Sequence, residues 1–461
     1  MLLKNSNNLK QILKADNVLT KLEERYCYAN DACNLEQSLK IPESVVFVET
    51  IEDVQNVIKF ANAHNIPIVS RGAGTNMVGA CVCNNGGIVL NFSKMNKIIE
   101  INPLDMFVKV QPGVVLGDLK KEVEKFNLFF PPDPSNYRVS TVGGAIAQSS
   151  GGAMALKYGT TKDYVLSLKV VTADGSVMTI GTNTTKESVG YHLAQLIVGS
   201  EGTLAVIVEA TLKLIPKPTA RKAISAYFNS SEEMTLAVNQ ILASNILPTA
   251  IDFMDNNSIK TVNDFAKCGL KSEFQYLLII DLDGSEALVN ENLALIQNIL
   301  RTKDSFCIEI AENNKEAELI WKARRSSYAA STRLAPDVVS DDLIVPRSNI
   351  AKLLDSITEI TNKYNLQVCL VGHIGDGNMH PQFVLDLEDE VQFRNYKKAK
   401  DEIYRVVINL GGTISAEHGV GLEKKDYLKY CVDAKSLEYM KIIKKIFDPK
   451  NILNPGKIFD I

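Results

Sequence analysis

No uninterrupted apolar run in the 461 residues approaches the ~18–20 needed to cross a bilayer. The longest candidates, such as Tyr276 to Ile280, are strand-sized, so no membrane-spanning helix is expected. Positive charge is also short: 50 Lys plus Arg face 54 Asp plus Glu, a net −4 with no basic stripe. That removes the long-range attraction that nucleic acid or anionic lipid needs, and neither is expected as a direct partner. The eight cysteines form no CxxC pair and are too sparse for a disulfide scaffold, which fits reduced thiols and leaves no iron–sulfur motif. Met1 to Ser6 lacks an apolar core and a small-residue cleavage site, so the cytoplasm is expected rather than export. With no repeat or low-complexity tract, and near-average apolar and charged fractions, the length implies roughly two to four globular domains.

Leu9, Ile12, Leu13, Val18, Leu19 and Leu22 share one helical stripe over residues 8–25, ahead of the polar stretch Asn30 to Glu36, and predict a helical lead-in over residues 1–40. Thr50, with Asp53 three residues on, opens a capping-box helix to about Asn65. Runs rich in Val, Ile and Leu at 87–91, 107–111, 165–172 and 204–215 predict strands. Pro216 and Pro218 interrupt helix and central strand alike, so a domain boundary is placed there, with domains at 41–219 and 220–410 and a C-terminal segment at 411–461. Beyond the boundary, helices at 231–244 and 286–302 alternate with strands such as 274–282, giving an α+β fold class for both halves.

Chemistry-bearing residues concentrate in loops. Arg71-Gly72-Ala73-Gly74-Thr75-Asn76 follows a strand, and its glycines would let backbone N–H groups close on a diphosphate. A Rossmann reading fails, because Met77 stands at the third glycine position and Gly79, Asn84, Asn85, Gly86 and Gly87 replace the helix. Thr141-Val142-Gly143-Gly144, Ser149-Ser150-Gly151-Gly152 and Gly199-Ser200-Glu201-Gly202-Thr203 continue the pattern; each alone is equally compatible with turn chemistry.

Three of only five histidines fall at 373, 380 and 418, inside the most glycine-rich C-terminal stretches. Asp376-Gly377 is a two-residue hairpin signal, and pairing across it makes His373 and His380 direct cross-strand partners with Cβ atoms about 5 Å apart. Two imidazoles so placed could chelate one ion. The Glu417-His418 pair suggests a third ligand, and two His plus a carboxylate suit Zn²⁺, Mn²⁺ or Fe²⁺. A hairpin of mutually bonded polar side chains is the alternative.

In order and spacing, residues 41–219 resemble the FAD domain of the vanillyl-alcohol oxidase/p-cresol methylhydroxylase flavoprotein superfamily. The resemblance implies a two-subdomain FAD-binding domain plus an α+β cap domain with an antiparallel sheet. It places Arg71, Gly72, Ala73, Gly74, Thr75 and Asn76 on the FAD pyrophosphate and has Thr141, Gly143, Gly144, Ser150 and Gly151 line the cofactor. Glu201, Gly202 and Ile207 would lie near the adenosine end. Members that tether FAD often carry a His in the first loop; here that loop reads Thr75-Asn76, and only His64 and His192 precede His373, so non-covalent FAD is implied.

The second half resembles the FAD-linked 2-hydroxy-acid dehydrogenases and glycolate oxidase FAD subunits. The resemblance rests on Trp321-Lys322-Ala323-Arg324, Asp342-Leu343-Ile344-Val345-Pro346-Arg347, His373 to His380, Glu417-His418-Gly419 and Asn454-Pro455-Gly456-Lys457. It implies one divalent metal on His373, His380 and Glu417, His418 as base, and Arg324 on a substrate carboxylate with Arg325 as fallback. Asn378 and Asn454 would approach the flavin. Ser340 and Gln382 depart from the Lys and Asn of the 2-hydroxyglutarate enzymes, which favours a smaller acid, D-lactate or glycolate. Reduced FAD would pass electrons to a quinone, a cytochrome, an iron–sulfur subunit or an electron-transferring flavoprotein, with peripheral association at the inner membrane through such a partner. The competing readings are a D-2-hydroxyglutarate dehydrogenase, a non-catalytic FAD subunit of a larger oxidase, a non-redox flavoenzyme such as an alkylglycerone-phosphate synthase, and a metal hydrolase whose His373, His380 and Glu417 activate water.

Overall fold

The computed structural model describes residues 8–33, 40–302 and 307–461. The chain divides into two units: residues 1–150, 160–217 and 417–461 form the first, and 151–159 with 218–416 the second. Among the described residues no helix is long and apolar enough to cross a membrane, and all eight cysteines are free thiols.

The first unit holds two larger sheets and one two-stranded sheet. In one, β1 (Val18–Leu19), β2 (Ser44–Phe47), β3 (Ile68–Arg71) and β4 (Ile88–Asn91) lie in the order β1-β2-β4-β3, with β2 and β3 parallel to β4. All four residues of β4 are buried, as a parallel strand covered on both faces requires. The helix Ile51–His64 covers this sheet because Val54, Val57, Ile58 and Ala61 recur at helical spacing on its buried face. The expected capping box forms: Thr50 Oγ accepts the Asp53 N–H at 3.1 Å, and the Asp53 carboxylate accepts the Thr50 N–H at 3.0 Å. The chain's end completes the sheet, with Leu453 in a parallel bridge to Ile68 at the edge of β3. The second sheet is antiparallel: β5 (Ile98–Asn102), β6 (Phe107–Val110), β8 (Val165–Val171), β9 (Val177–Gly181) and β10 (Val206–Lys213), ordered β5-β6-β10-β8-β9. The two-stranded sheet pairs β7 (Leu128–Phe129) with β11 (Ile215–Pro216).

The second unit is built on one eight-stranded antiparallel sheet. Its strands are β12 (Ala220–Phe228), β13 (Ala250–Asp255), β14 (Tyr276–Gly284), β15 (Cys307–Ile310), β16 (Asp337–Ser340), β17 (Leu343–Ile344), β18 (Gln367–His373) and β19 (Asn378–Leu385). The order is β15-β12-β14-β13-β18-β19-β16, with β17 also on β19. Helices 231–243 and 286–301 form as the apolar periodicity predicts, each capped by a serine, Ser230 and Ser285, that accepts an N–H of the first turn.

Two expectations need correction. The stripe over residues 8–25 is not one helix: 8–12 is helical, Ala15–Asn17 is a 3₁₀ turn, Val18–Leu19 is β1, and Leu22–Tyr26 is a separate short helix. Tertiary contacts override the local pattern, since buried Asn17 donates to Glu49 at 3.1 Å and accepts from Lys94 at 2.6 Å while Val18 pairs with Val46. Of the polar stretch Asn30 to Glu36, residues 34–36 lie outside the described residues.

The second correction is the register of the histidine hairpin. His373 pairs with Asn378, and His380 pairs with Val371, so the connection is the four-residue loop 374–377 rather than a two-residue turn. The His373 carbonyl accepts both the Asp376 and Gly377 N–H groups, at 3.3 and 3.2 Å, and Gly375 donates to the Ile251 carbonyl at 3.0 Å, drawing the loop onto β13. Only Gly377 takes positive φ, at 95°, where a side chain would run into the Val345 carbonyl. His373 and His380 thus become diagonal neighbours on one face instead of direct partners.

Candidate active site

In the first unit a groove opens beside the C-terminal ends of the parallel strands. It encloses about 1180 Å³ counted to its open mouth. Arg71 to Asn76, Thr141, Gly143, Gly144, Ser150, Glu201, Gly202, Ile207, Glu417 and His418 all line it. Gly151 does not; it falls in the second unit, as does Asn378, and Asn454 is not on the groove wall.

Most polar side chains here hold loops in place. Arg71 folds under the loop that follows it, donates to the Asn30 carbonyl at 2.7 Å and stacks over Tyr28. Gly74, at φ 74°, makes room, because a Cβ there would collide with the Arg71 guanidinium. Asn76 Oδ1 accepts the Val78 and Ala80 N–H groups at 2.9 and 3.0 Å, and Nδ2 donates to the His418 carbonyl at 3.3 Å. Thr141 caps the short helix Val142–Gln148. Asn454 donates to the carbonyls of Ala80 and Glu201, at 2.9 and 2.7 Å, tying two groove loops together. What the first loop presents to a ligand is therefore largely backbone, as expected of an anion cradle.

Glu201 anchors the segment carrying Glu417 and His418 by accepting the N–H groups of Val420 and Gly421 at 2.7 and 2.9 Å. Burial pushes its carboxyl up to about 7 despite those bonds. Nearby Asp31 is pushed up to about 6 by burial, and buried Lys457, which donates to the Val82 carbonyl and Asn84 at 2.7 Å each, is brought down to about 8 for the same reason. Cys81 lies on the groove wall, and burial pushes its thiol up to about 12, which keeps it protonated. Ser140 Oγ and Gln148 Oε1, also on the wall, are buried without a hydrogen-bond partner among the described residues. Such orphaned groups together with a glycine-rich backbone wall fit a large polar cofactor.

The second unit assembles side chains instead. His373 at the end of β18 and His380 on β19 place their rings 5.3 Å apart, inclined at 82°. His373 Nδ1 lies 2.9 Å from Asp252 Oδ1, and His380 Nδ1 lies 3.3 Å from the Asp341 carbonyl. A carboxylate and a carbonyl can only accept, so both rings carry the proton on Nδ1, which makes Nε2 the atom each offers to a cation. That donor set fits a divalent metal. Arg324 packs its Nε 2.8 Å from the second oxygen of Asp252, close but without the alignment of a linear hydrogen bond. Burial pushes the Asp252 carboxyl up, but His373 and Arg324 outweigh it and hold it below the ordinary value. Arg325 instead pairs with Glu318 at 2.8 Å, and Lys322 is exposed, so Arg324 is the cation of this helix that turns inward.

Around this pair, Asn378 donates to Asp342 Oδ1 at 2.8 Å, and Asp342 Oδ2 accepts Ser415 Oγ and the Ala416 N–H at 2.9 and 2.8 Å. Tyr404 donates to Asp341 at 3.0 Å. Ser340 and Gln382 are direct cross-strand partners, and the Gln382 side-chain carbonyl accepts Ser331 at 2.8 Å and Ser327 at 3.3 Å. Asp252 escaped the sequence reading. Its signal is an acid within Ala250-Ile251-Asp252-Phe253-Met254, where burial of a carboxylate demands a cationic or hydrogen-bonding partner.

A model of the FAD binding domain matches residues 42–181, and a model of the FAD linked oxidases, C-terminal domain, matches 217–458. The chain belongs to the FAD-linked oxidase family. It is 39% identical to glycolate oxidase subunit GlcD of Bacillus subtilis over 435 residues, covering 94% of this chain and 92% of that protein. It is 35% identical to D-lactate dehydrogenase of Archaeoglobus fulgidus over 417 residues, covering 90% of each. Among solved structures p-cresol methylhydroxylase with substrate bound superposes with a TM-score of 0.84 at 17% identity, over 99% of this chain and 96% of that one, which establishes the fold. The hydrolase reading, which treats the glycine loops as scaffold, leaves the flavin domain without a purpose and is set aside.

Proposed function

We propose that the chain oxidises a small D-2-hydroxy acid, D-lactate first and glycolate second, to the 2-oxo acid, with non-covalent FAD and one divalent ion (Zn²⁺, Mn²⁺ or Fe²⁺). One observation carries the reading: the buried His373–Asp252–Arg324 chain beside His380. Imidazole ligands and a guanidinium in one network suit a ligand that brings an oxygen donor and a carboxylate together. When bound, FAD supplies the hydride acceptor and the ion supplies Lewis acidity.

In this reading His373, His380 and Glu417 hold the ion, and Arg324 takes the substrate carboxylate through the edge of its guanidinium away from Nε. His418 accepts the hydroxyl proton at a ring nitrogen. Holding hydroxyl and carboxylate together presents one face of Cα, so one enantiomer is preferred; the D hand follows the family. Arg71 to Asn76, Thr141, Gly143, Gly144 and Ser150 cradle the cofactor, with Glu201, Gly202 and Ile207 towards its adenosine end and Asn454 tying the Ala80 and Glu201 loops together. Non-covalent binding is supported by the groove wall, whose one histidine is His418 and whose Cys81 is held as a thiol. The small-acid preference is supported by Ser340 and Gln382: neither supplies a cation, and an unpaired buried carboxylate is costly. Electrons then pass to a partner acceptor, in the cytoplasm or at the inner membrane.

Anaerobic stopped-flow bleaching of the flavin by D-lactate, L-lactate, glycolate and D-2-hydroxyglutarate tests the proposal. D-lactate is expected to give the highest kcat/KM. A higher value for the dicarboxylate, or for L-lactate over D-lactate, refutes the substrate assignment.

A further inference from the structure

Asp252 is 1% exposed and sits on an interior strand of the antiparallel sheet, where a carboxylate is tolerated only if both oxygens are engaged. One oxygen meets His373 Nδ1 at 2.9 Å and the other meets Arg324 Nε at 2.8 Å. The two partners come from different elements, His373 from the end of β18 and Arg324 from the helix Asn314–Arg325, and this carboxylate is a direct link between them. Its effect on each is specific. It fixes the Nδ1–H tautomer of His373 and the plane of the ring, and it holds the Arg324 guanidinium by charge, in an ion pair at its Nε that is close but not aligned as a hydrogen bond.

We propose that Asp252 is a positioning residue that couples cation binding at His373 to carboxylate binding at Arg324, because the two partners share one carboxylate and a change at either is felt at the other. This deepens the functional reading above and rests on it. Asp252→Asn leaves an oxygen for His373 but turns an amide N–H towards the Arg324 Nε–H, donor against donor, so the guanidinium loses its seat while the fold keeps a side chain of the same shape. Arg324→Gln removes a positive neighbour without touching a cation ligand and lets the carboxylate serve His373 alone.

The test titrates Zn²⁺ into FAD-loaded enzyme stripped of metal by a chelator, with KM and kcat for the hydroxy acid measured in parallel. For Asp252→Asn we expect Zn²⁺ affinity about 10- to 100-fold weaker, the usual cost of altering the carboxylate behind a ligating histidine, with KM raised more than kcat is lowered and FAD content unchanged. For Arg324→Gln we expect Zn²⁺ to bind about fivefold or more tighter, the scale of a coupling between neighbouring sites. Unchanged Zn²⁺ affinity in Arg324→Gln would overturn the coupling even if Asp252→Asn proves insoluble, and so would wild-type affinity and KM in Asp252→Asn. Failure of the unaltered enzyme to take up Zn²⁺ would instead overturn the metal assignment, and the coupling with it.

Discussion

In the first unit the side chains of Arg71, Asn76, Thr141 and Glu201 turn to backbone atoms, some near in the chain and some far, whereas in the second His373, Asp252, Arg324, Asn378 and Asp342 turn to one another. The groove therefore offers mostly N–H and C=O groups held by scaffolding side chains, and the sheet face offers imidazoles and a guanidinium held by buried carboxylates. A large cofactor gripped through many backbone contacts tolerates the loss of any one side chain. A site made from a few linked side chains does not. Substitutions should therefore separate the two units: in the second they should abolish one chemical capacity cleanly, and in the first they should act through loop position and stability.

The largest separation is expected at His380. His380→Ala removes one of two imidazoles set 5.3 Å apart and should empty the metal site while FAD stays bound. Activity should fall about 10³- to 10⁴-fold, because Lewis-acid assistance is worth several kcal/mol and each 1.36 kcal/mol is tenfold. Elemental analysis and the flavin spectrum of the same sample check both halves; full activity in a metal-free preparation would break the comparison. Next comes His418, a groove-lining residue for which, as for Glu417 beside it, we propose chemistry rather than scaffolding. His418→Ala should slow flavin reduction by about 10²-fold or more with a smaller change in substrate affinity, as for a lost general base. Reduction at the wild-type rate would return His418 to the scaffold.

The two regions also differ in how far the sequence disclosed them. The paired glycines and hydroxyls of the first unit marked the groove, because a chain that must approach a ligand closely leaves a compositional trace. The trace does not say which atoms do the work, and the side chains of Arg71 and Asn76 prove to be bonded to backbone atoms. In the second unit the histidine spacing led to the correct face by an incorrect register. Asp376-Gly377 signals a tight turn locally, but Gly375 bonds to β13 and the loop runs to four residues, a long-range contact that no local pattern encodes. The Thr50–Asp53 capping box was legible because its chemistry closes within four residues. The lead-in over residues 8–25 was misread because Asn17 and Val18 answer to Glu49, Lys94 and Val46, far along the chain. Asp252 had the same handicap: the strand showed an unexplained acid, while its partners lie 72 and 121 residues away.

The smallest effect is expected at Glu201, and it sharpens the claim that groove side chains act through stability. Its carboxyl is buried and pushed up to about 7 in the folded chain, against an ordinary value near 4.5. Between those values the folded chain keeps the proton that the unfolded chain has released, so stability declines as pH rises from about 4.5 to 7 and is level beyond. At 1.36 kcal/mol per pKa unit the decline attributable to this group is about 3 kcal/mol at most. Glu201→Gln retains an acceptor for the Val420 or Gly421 N–H but cannot ionise, so its stability should vary less across that window, and above pH 7 it should equal or exceed the wild type. Denaturant midpoints measured for both proteins at pH 5, 6, 7 and 8 read this directly. Parallel pH profiles would show that Glu201 is ionised in the folded chain at pH 5 as well, held by its two N–H donors more strongly than burial opposes it.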